Sequence, residues 1–108
     1  MRQLAVYLNN RFAGILTEKA PGKGYSFSYD SDYIQAGANP ISVNFPLRKE
    51  AYESDDLFPF FINLLPEGAN RKTVCRFYKI DENDYFGLLD FFAGKDIIGA
   101  VNLRKIQP

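Results

Sequence analysis

The residues able to do chemistry are few, and the missing types narrow the choice more than those present. The chain has no His, one Cys and one Met, which removes imidazole-dependent triads, the common zinc sites and the haem patterns together. Cys75 stands between Val74 and Arg76 with no His anywhere to act as its base, so packing explains it better than a thiolate nucleophile does. Two acidic clusters, Asp30-Ser31-Asp32 and Asp81-Glu82-Asn83-Asp84, lack the ligand ladder and terminal Glu of a calcium loop, and helix capping accounts for both. Gly22-Lys23-Gly24 has neither the spacing nor the hydroxyl of a phosphate-binding loop and leads into a strand, so it reads as a turn. Asp90-Phe91 is followed by Phe92 where a kinase metal-binding triplet needs Gly, and the other kinase motifs are missing too. With no convergent polar site left, the expectation is a protein that is not an enzyme and that holds no metal or cofactor.

The elements that would position any binding residues fit one domain over residues 1–108, since a second core would not fit in 108 residues. Ten Phe and seven Tyr supply that core. Thirteen basic and thirteen acidic residues cancel, so no global positive field draws the chain to phosphate backbones and direct nucleic-acid binding is not expected. A lone cysteine points to a reducing compartment, read as the cytoplasm. The start reaches polar Asn9 after five apolar positions, Leu4 to Leu8, too few for a signal-peptide core or a membrane span.

Leu4 to Leu8 and Arg11 to Thr17 read as a hairpin closed by Asn9-Asn10. Tyr25-Ser-Phe-Ser-Tyr29 alternates with period two, so its aromatics should share a buried face. Ile41 to Phe45 alternates again and is expected as a fourth strand, stopped by Pro46. From Leu57 the period changes. Residues 57–65 predict a helix capped by Ser54 or Asp55 with Pro59 in its first turn. A second is expected over Ala69 to Tyr78, with Val74, Phe77 and Tyr78 on one side and Lys72, Arg76 and Lys79 on the other. A third starts at Asp81 as cap, carries Leu88, Leu89 and Phe92, and is closed by Gly94. Ile97 to Leu103 is the last strand. The expected fold class is α+β: a small, mainly antiparallel sheet with about three helices packed against it.

Two features resist a purely structural explanation. Arg71, Lys72, Arg76 and Lys79 form a basic stripe with no acid until Asp81, either a solvated face or a docking surface for acidic groups. In segment 57–65, Leu57, Phe58, Phe60, Phe61, Ile62, Leu64 and Leu65 run almost all the way round the helix, broken by Asn63. Such a helix needs cover on nearly every side, from its own sheet or from another molecule.

Several blocks in order resemble one family. Val6-Tyr-Leu-Asn-Asn10 with Gly14 and Leu16, Ser26-Phe-Ser-Tyr-Asp30, Ile41-Ser-Val with Pro46-Leu47-Arg48, Phe60 through Gly68, and Gly99-Ala100-Val101 together resemble the amino-terminal subdomain of HipA-type kinases, from about residue 4 to residue 104. In that family the resemblance implies a non-catalytic domain packed on a Ser/Thr kinase core. With no kinase core in this sequence, it implies a HipS-like antitoxin of a split toxin-antitoxin system, acting on a separate HipA- or HipT-like kinase. The residues expected to bind that kinase are Phe60, Phe61, Asn63, Leu64, Pro66, Glu67, Gly68 and Ala69, with Arg71 and Lys72, at the start of the basic stripe, orienting the chain from a polar rim. Some antitoxin-type relatives place a bulky aromatic after Pro-Glu-Gly, whereas this chain has Ala69-Asn70, which leaves blockage of the nucleotide cleft, restraint of a moving element and structural completion all open. The competing class is an accessory component of a transcriptional repressor complex, contacting DNA or a HipB-like helix-turn-helix protein.

Overall fold

Asn9 and Asn10 both take positive φ, 51° and 66°, the backbone that a two-residue hairpin turn demands and that Asn tolerates. They join β1 (Arg2–Leu8) to β2 (Arg11–Ala20), as the sequence predicts. The computed structural model describes residues 1–65, 69–93 and 100–106. Strand β3 (Lys23–Tyr29) pairs with β2, β4 (Tyr52–Ser54) with β3, and β5 (Val101–Lys105) with β1, giving an antiparallel sheet in the order β4-β3-β2-β1-β5. The described residues add four short helices: α1 (Ser31–Gln35), α2 (Pro59–Ile62), α3 (Ala69–Tyr78) and α4 (Tyr85–Phe92). The result is the expected α+β class.

One face of the sheet carries the core. Register aligns Leu4, Leu16, Phe27 and Tyr52 across four strands, with Val6, Gly14 and Tyr29 in the next row. Tyr25, Phe27 and Tyr29 are all buried, as their period-two alternation predicts. Phe27 is the hub, its ring centroid 4.8 Å from Tyr29, 5.4 Å from Phe45 and 5.7 Å from Phe61.

Four expectations need correction. Residues 41–45 do not form a strand, although Ile41 and Phe45 are buried. The Ile41 N–H donates to the Tyr29 hydroxyl at 3.0 Å, and that hydroxyl donates to the Phe45 carbonyl, so a side chain replaces the strand neighbour. The fourth strand is instead β4. Helix α2 is only four residues long, with Phe58 rather than Ser54 or Asp55 at its N-cap and Pro59 in its first turn. Helix α4 is capped by Asp84, whose carboxylate accepts from the Gly87 N–H at 3.0 Å, while Asp81 binds the preceding turn through the Asn83 N–H at 2.9 Å. In α3 the inward position belongs to Cys75, and Phe77 and Tyr78 face solvent. Gly94 and the expected strand start at residues 97–99 lie outside the described residues.

Candidate functional site

Segment 57–65 is held by short-range bonds followed by burial. The Phe61 N–H reaches the Phe58 carbonyl at 3.0 Å, Asn63 reaches Pro59 at 2.9 Å, Leu64 reaches Phe61 at 3.1 Å and Leu65 reaches Ile62 at 3.0 Å, a helical turn that tightens into three-residue steps. Leu57, Phe61 and Leu65 are buried in the sheet-facing core. Phe58, Phe60, Ile62 and Leu64 are half-buried, and Asn63 is exposed. The chain itself therefore covers much of this segment.

What stays open is a cavity of about 360 Å³ lined by Asn44, Phe45, Tyr52, Phe58, Pro59 and Phe60. Its walls are ring edges and faces: Phe45 lies 5.0 Å from Tyr52, 5.3 Å from Phe58 and 5.9 Å from Phe60, all in edge-to-face pairs. Tyr52 is fixed from behind, since its hydroxyl donates to the Pro46 carbonyl and the Arg48 guanidinium lies 3.7 Å over its ring. Beside Asn44, Val43 is 93% exposed. An aromatic hollow with an exposed aliphatic lip can take up an apolar side chain from another molecule, and the phenol of Tyr52, its one ionisable lining group, is engaged by the Pro46 carbonyl.

The residues expected to bind a partner are not all gathered here. Phe60 lines the hollow, Phe61 lies wholly inside the core beneath it, and Asn63 and Leu64 follow at the end of α2. Pro66, Glu67 and Gly68 lie outside the described residues, and Ala69 opens α3. Arg71 is half-buried with its guanidinium 5.8 Å over the Tyr85 ring, whereas Lys72 is exposed. Phe58 belongs to the segment whose apolar surround calls for cover, whereas Phe45 and Tyr52 carry no sequence signal as lining residues beyond their aromatic type, because only the fold joins them to it.

A second polar constellation lies at the other end of the sheet. Register puts Arg2, Glu18 and Tyr25 in one row across three strands. Glu18, only 2% exposed, accepts from Arg2 Nε at 2.6 Å, the Tyr25 hydroxyl at 2.9 Å and the Gly22 N–H at 3.3 Å. Arg2 also donates through both terminal nitrogens to Asp84, at 3.2 and 2.8 Å, tying β1 and β2 to the α4 cap. Burial pulls the Glu18 carboxyl upward, but these hydrogen bonds outweigh it and hold the group below the usual carboxylate range. The hydrogen bonds from Arg2 hold Asp84 low as well. Burial, with Glu18 beside it, pushes the Tyr25 phenol up to about 12. The one sequence signal for this group is a carboxylate at Glu18, in phase with inward Gly14 and Leu16.

Lowered carboxyl values mean that the stability these groups contribute is complete above about pH 4 to 5, the range of unfolded carboxylates, and is lost as pH falls through the folded values. The thermal midpoint of the wild type should therefore drop more steeply below about pH 4 than that of Glu18→Gln. Parallel curves for the two proteins would contradict this. Among the described residues no group of three or more His, Cys, Asp or Glu side chains is placed to hold a metal ion. No helix among them is long and apolar enough to cross a membrane.

Comparison with known proteins places the whole domain in a family. A family model described as "HipA N-terminal domain" matches residues 4–104. A Haemophilus influenzae protein described as "Uncharacterized protein" is 35% identical over 105 residues, a match covering 97% of this chain and 93% of that protein. A Sinorhizobium fredii protein described as "Putative kinase Y4mE" is 30% identical over 104 residues, covering 95% of this chain but only 24% of the longer protein. Among solved structures, one titled "N-terminal domain of HipA toxin" superposes with a TM-score of 0.75 at 32% identity, covering 99% of this chain and 94% of that one.

Proposed function

This chain belongs to the HipA N-terminal domain family, and from that premise we propose that it is a non-catalytic binding module for a separately encoded, HipA-like Ser/Thr kinase, acting in the cytoplasm as its HipS-like antitoxin. One observation carries the reading. The same module accounts for about a quarter of a protein described as a putative kinase and for nearly all of a second protein, so it occurs both joined to a larger chain and almost alone. A surface that a fused copy buries within its own chain is one that a separate copy buries by binding.

The hollow between Phe45, Tyr52, Phe58 and Phe60 supports this reading chemically. Its rings are locked by Arg48 and by the Phe45–Phe61 packing, so an apolar side chain of the kinase finds a preformed site and little conformational entropy is lost on docking. Asn63 at the end of α2 supplies a polar margin, with Lys72 further along the chain, and Pro66, Glu67 and Gly68 between them in sequence are expected to take part in the contact. In this reading inhibition comes from position alone, through obstruction of the kinase cleft or restraint of a moving element. The exposed basic residues of α3 would favour a repressor component contacting DNA, but the chain's zero net charge weighs against it.

Co-expression with a HipA-like kinase core tests the reading. The two proteins are expected to elute together, and the kinase's autophosphorylation and toxicity to fall when the chain is present. Separate elution at micromolar concentration contradicts the binding module; a complex with unchanged autophosphorylation and toxicity contradicts the antitoxin and leaves a structural subunit. Alone, the chain should show no heat of ATP binding with magnesium. Micromolar affinity there would demand a phosphate site for which the described residues offer no loop.

A further inference from the structure

Residues 36–51 form neither helix nor strand, yet they carry one side of the hollow: Asn44 and Phe45 line it, and Val43 stands at its lip. A backbone without a ladder must find its hydrogen-bond partners elsewhere. Here side chains supply them. The Tyr33 hydroxyl donates to the Asn39 carbonyl, the Tyr52 hydroxyl to the Pro46 carbonyl, and the Arg48 guanidinium to the Glu50 and Ala51 carbonyls at 3.1 and 3.2 Å. Between these bonds stands Tyr29, on β3. Its hydroxyl accepts from the Ile41 N–H at 3.0 Å and donates to the Phe45 carbonyl, so one buried phenol closes the two ends of the turn that carries Val43 and Asn44. Inside that turn the Phe45 N–H reaches the Ser42 carbonyl at 3.0 Å, and Ser42 Oγ accepts from the Asn44 N–H at 3.2 Å. The Tyr29 ring is itself held, stacked on Tyr33 at 5.9 Å and edge-on to Phe27 at 4.8 Å.

We propose that Tyr29 is a positioning residue of the hollow: its hydroxyl holds turn 41–45 so that the Phe45 wall and the Val43–Asn44 lip are in place before the kinase docks. The inference rests on the reading of the hollow as the kinase-docking site. Ordering a loose turn on binding costs conformational entropy, and with the Tyr29 bonds made that cost falls on folding rather than on docking. Tyr29 is only 6% exposed and does not line the hollow. Its effect on affinity therefore acts through the turn.

Tyr29→Phe keeps the stacked ring and deletes only the hydroxyl. Titration of a HipA-like kinase core, at a temperature where melts show every variant folded, should give Tyr29→Phe an affinity at least about fivefold weaker than wild type. Tyr33→Phe is the control, since its hydroxyl bonds Asn39, which is not a lining residue; its affinity should stay at the wild-type value. In the isolated chain, amide exchange at Ile41 should quicken in Tyr29→Phe and not in Tyr33→Phe. A purely structural role would lower the melting temperature of Tyr29→Phe and leave the affinity of the folded protein unchanged, which overturns the proposal. An equal loss of affinity in both variants, or unchanged exchange at Ile41, also overturns it. Should Tyr29→Phe not fold, Ser42→Gly loosens the same turn from its solvent side, and unchanged affinity there overturns the proposal as well. No binding by the wild type rejects the kinase reading and this inference with it; wild-type binding that Phe60→Ser weakens and Tyr29→Phe does not rejects this inference alone.

Discussion

Phe61→Ala should cost about 3 to 5 kcal/mol of folding stability, the range for emptying a fully enclosed aromatic site. Phe61 has no exposed surface, and its ring lies 5.7 Å from Phe27, 5.8 Å from Phe45, 6.2 Å from Phe58 and 5.2 Å from Phe60. No single neighbour can swing in to fill the space, because the Phe45 backbone carbonyl is held by the Tyr29 hydroxyl and Phe27 is fixed on β3 between β2 and β4. Small domains have only about 5 to 15 kcal/mol in total, so a large part of the population should unfold at moderate denaturant. Urea melts of Phe61→Ala and Phe60→Ala decide the point: if the half-buried Phe60 costs as much as Phe61, the account of which ring faces the core is wrong. Partner binding lost by Phe61→Ala alone therefore says nothing about contact.

The second large effect is expected at Gly14, where an added Cβ would lie 2.2 Å from the Ser28 carbonyl oxygen and 3.0 Å from the Tyr29 Cα. Both are backbone atoms of the neighbouring strand, so no rotamer change relieves the contact. Gly14 pairs with Val6 on one side and Tyr29 on the other, next to the irregularity between Val6 and Tyr7. Gly14→Ala should cost about 3 kcal/mol by forcing β2 and β3 apart. Gly22→Ala is the comparison, since nothing lies within 4 Å of its added Cβ and only its positive φ of 71° opposes the change. A smaller loss at Gly14 than at Gly22 in thermal melts would refute the close approach.

How much of this could be read from sequence follows the range of the interactions involved. Asn9-Asn10, the Tyr25 to Tyr29 alternation and the bounds of α3 at Ala69 and Tyr78 were legible, because each is set by residues within one turn or one strand. Residues 41–45 misled because alternation records which side chains turn inward, and Ile41 and Phe45 do; the partner of their backbone is a hydroxyl more than ten residues away, which no local pattern encodes. Strand β4 is three residues of mixed polarity at a sheet edge, too short for periodicity. Asp81 and Asp84 are equally good caps by type, and the choice is set by Arg2 at the other end of the chain. Cys75 packs inward, as its lack of a base suggests, whereas Phe77 and Tyr78, which the sequence groups with Val74 on one side of α3, are exposed, because helical period does not say which side meets the sheet. At the candidate site Phe60, Asn63 and Leu64 were named from the family resemblance, while Phe45 and Tyr52 reach the hollow from other parts of the chain.

The central claim is that the chain docks a HipA-like kinase core through the end of α2 and the hollow beside it. Calorimetric titration of the kinase core with wild type, Phe60→Ser and Asn63→Arg tests it most directly, with circular dichroism melts confirming that each variant is folded. Asn63 is exposed at the C-cap, so its replacement should leave stability within about 0.5 kcal/mol of wild type. The account predicts one-to-one binding by the wild type, weakened at least about tenfold by either substitution. Wild-type affinity retained by both folded variants, or no heat of binding from the wild type, would contradict it.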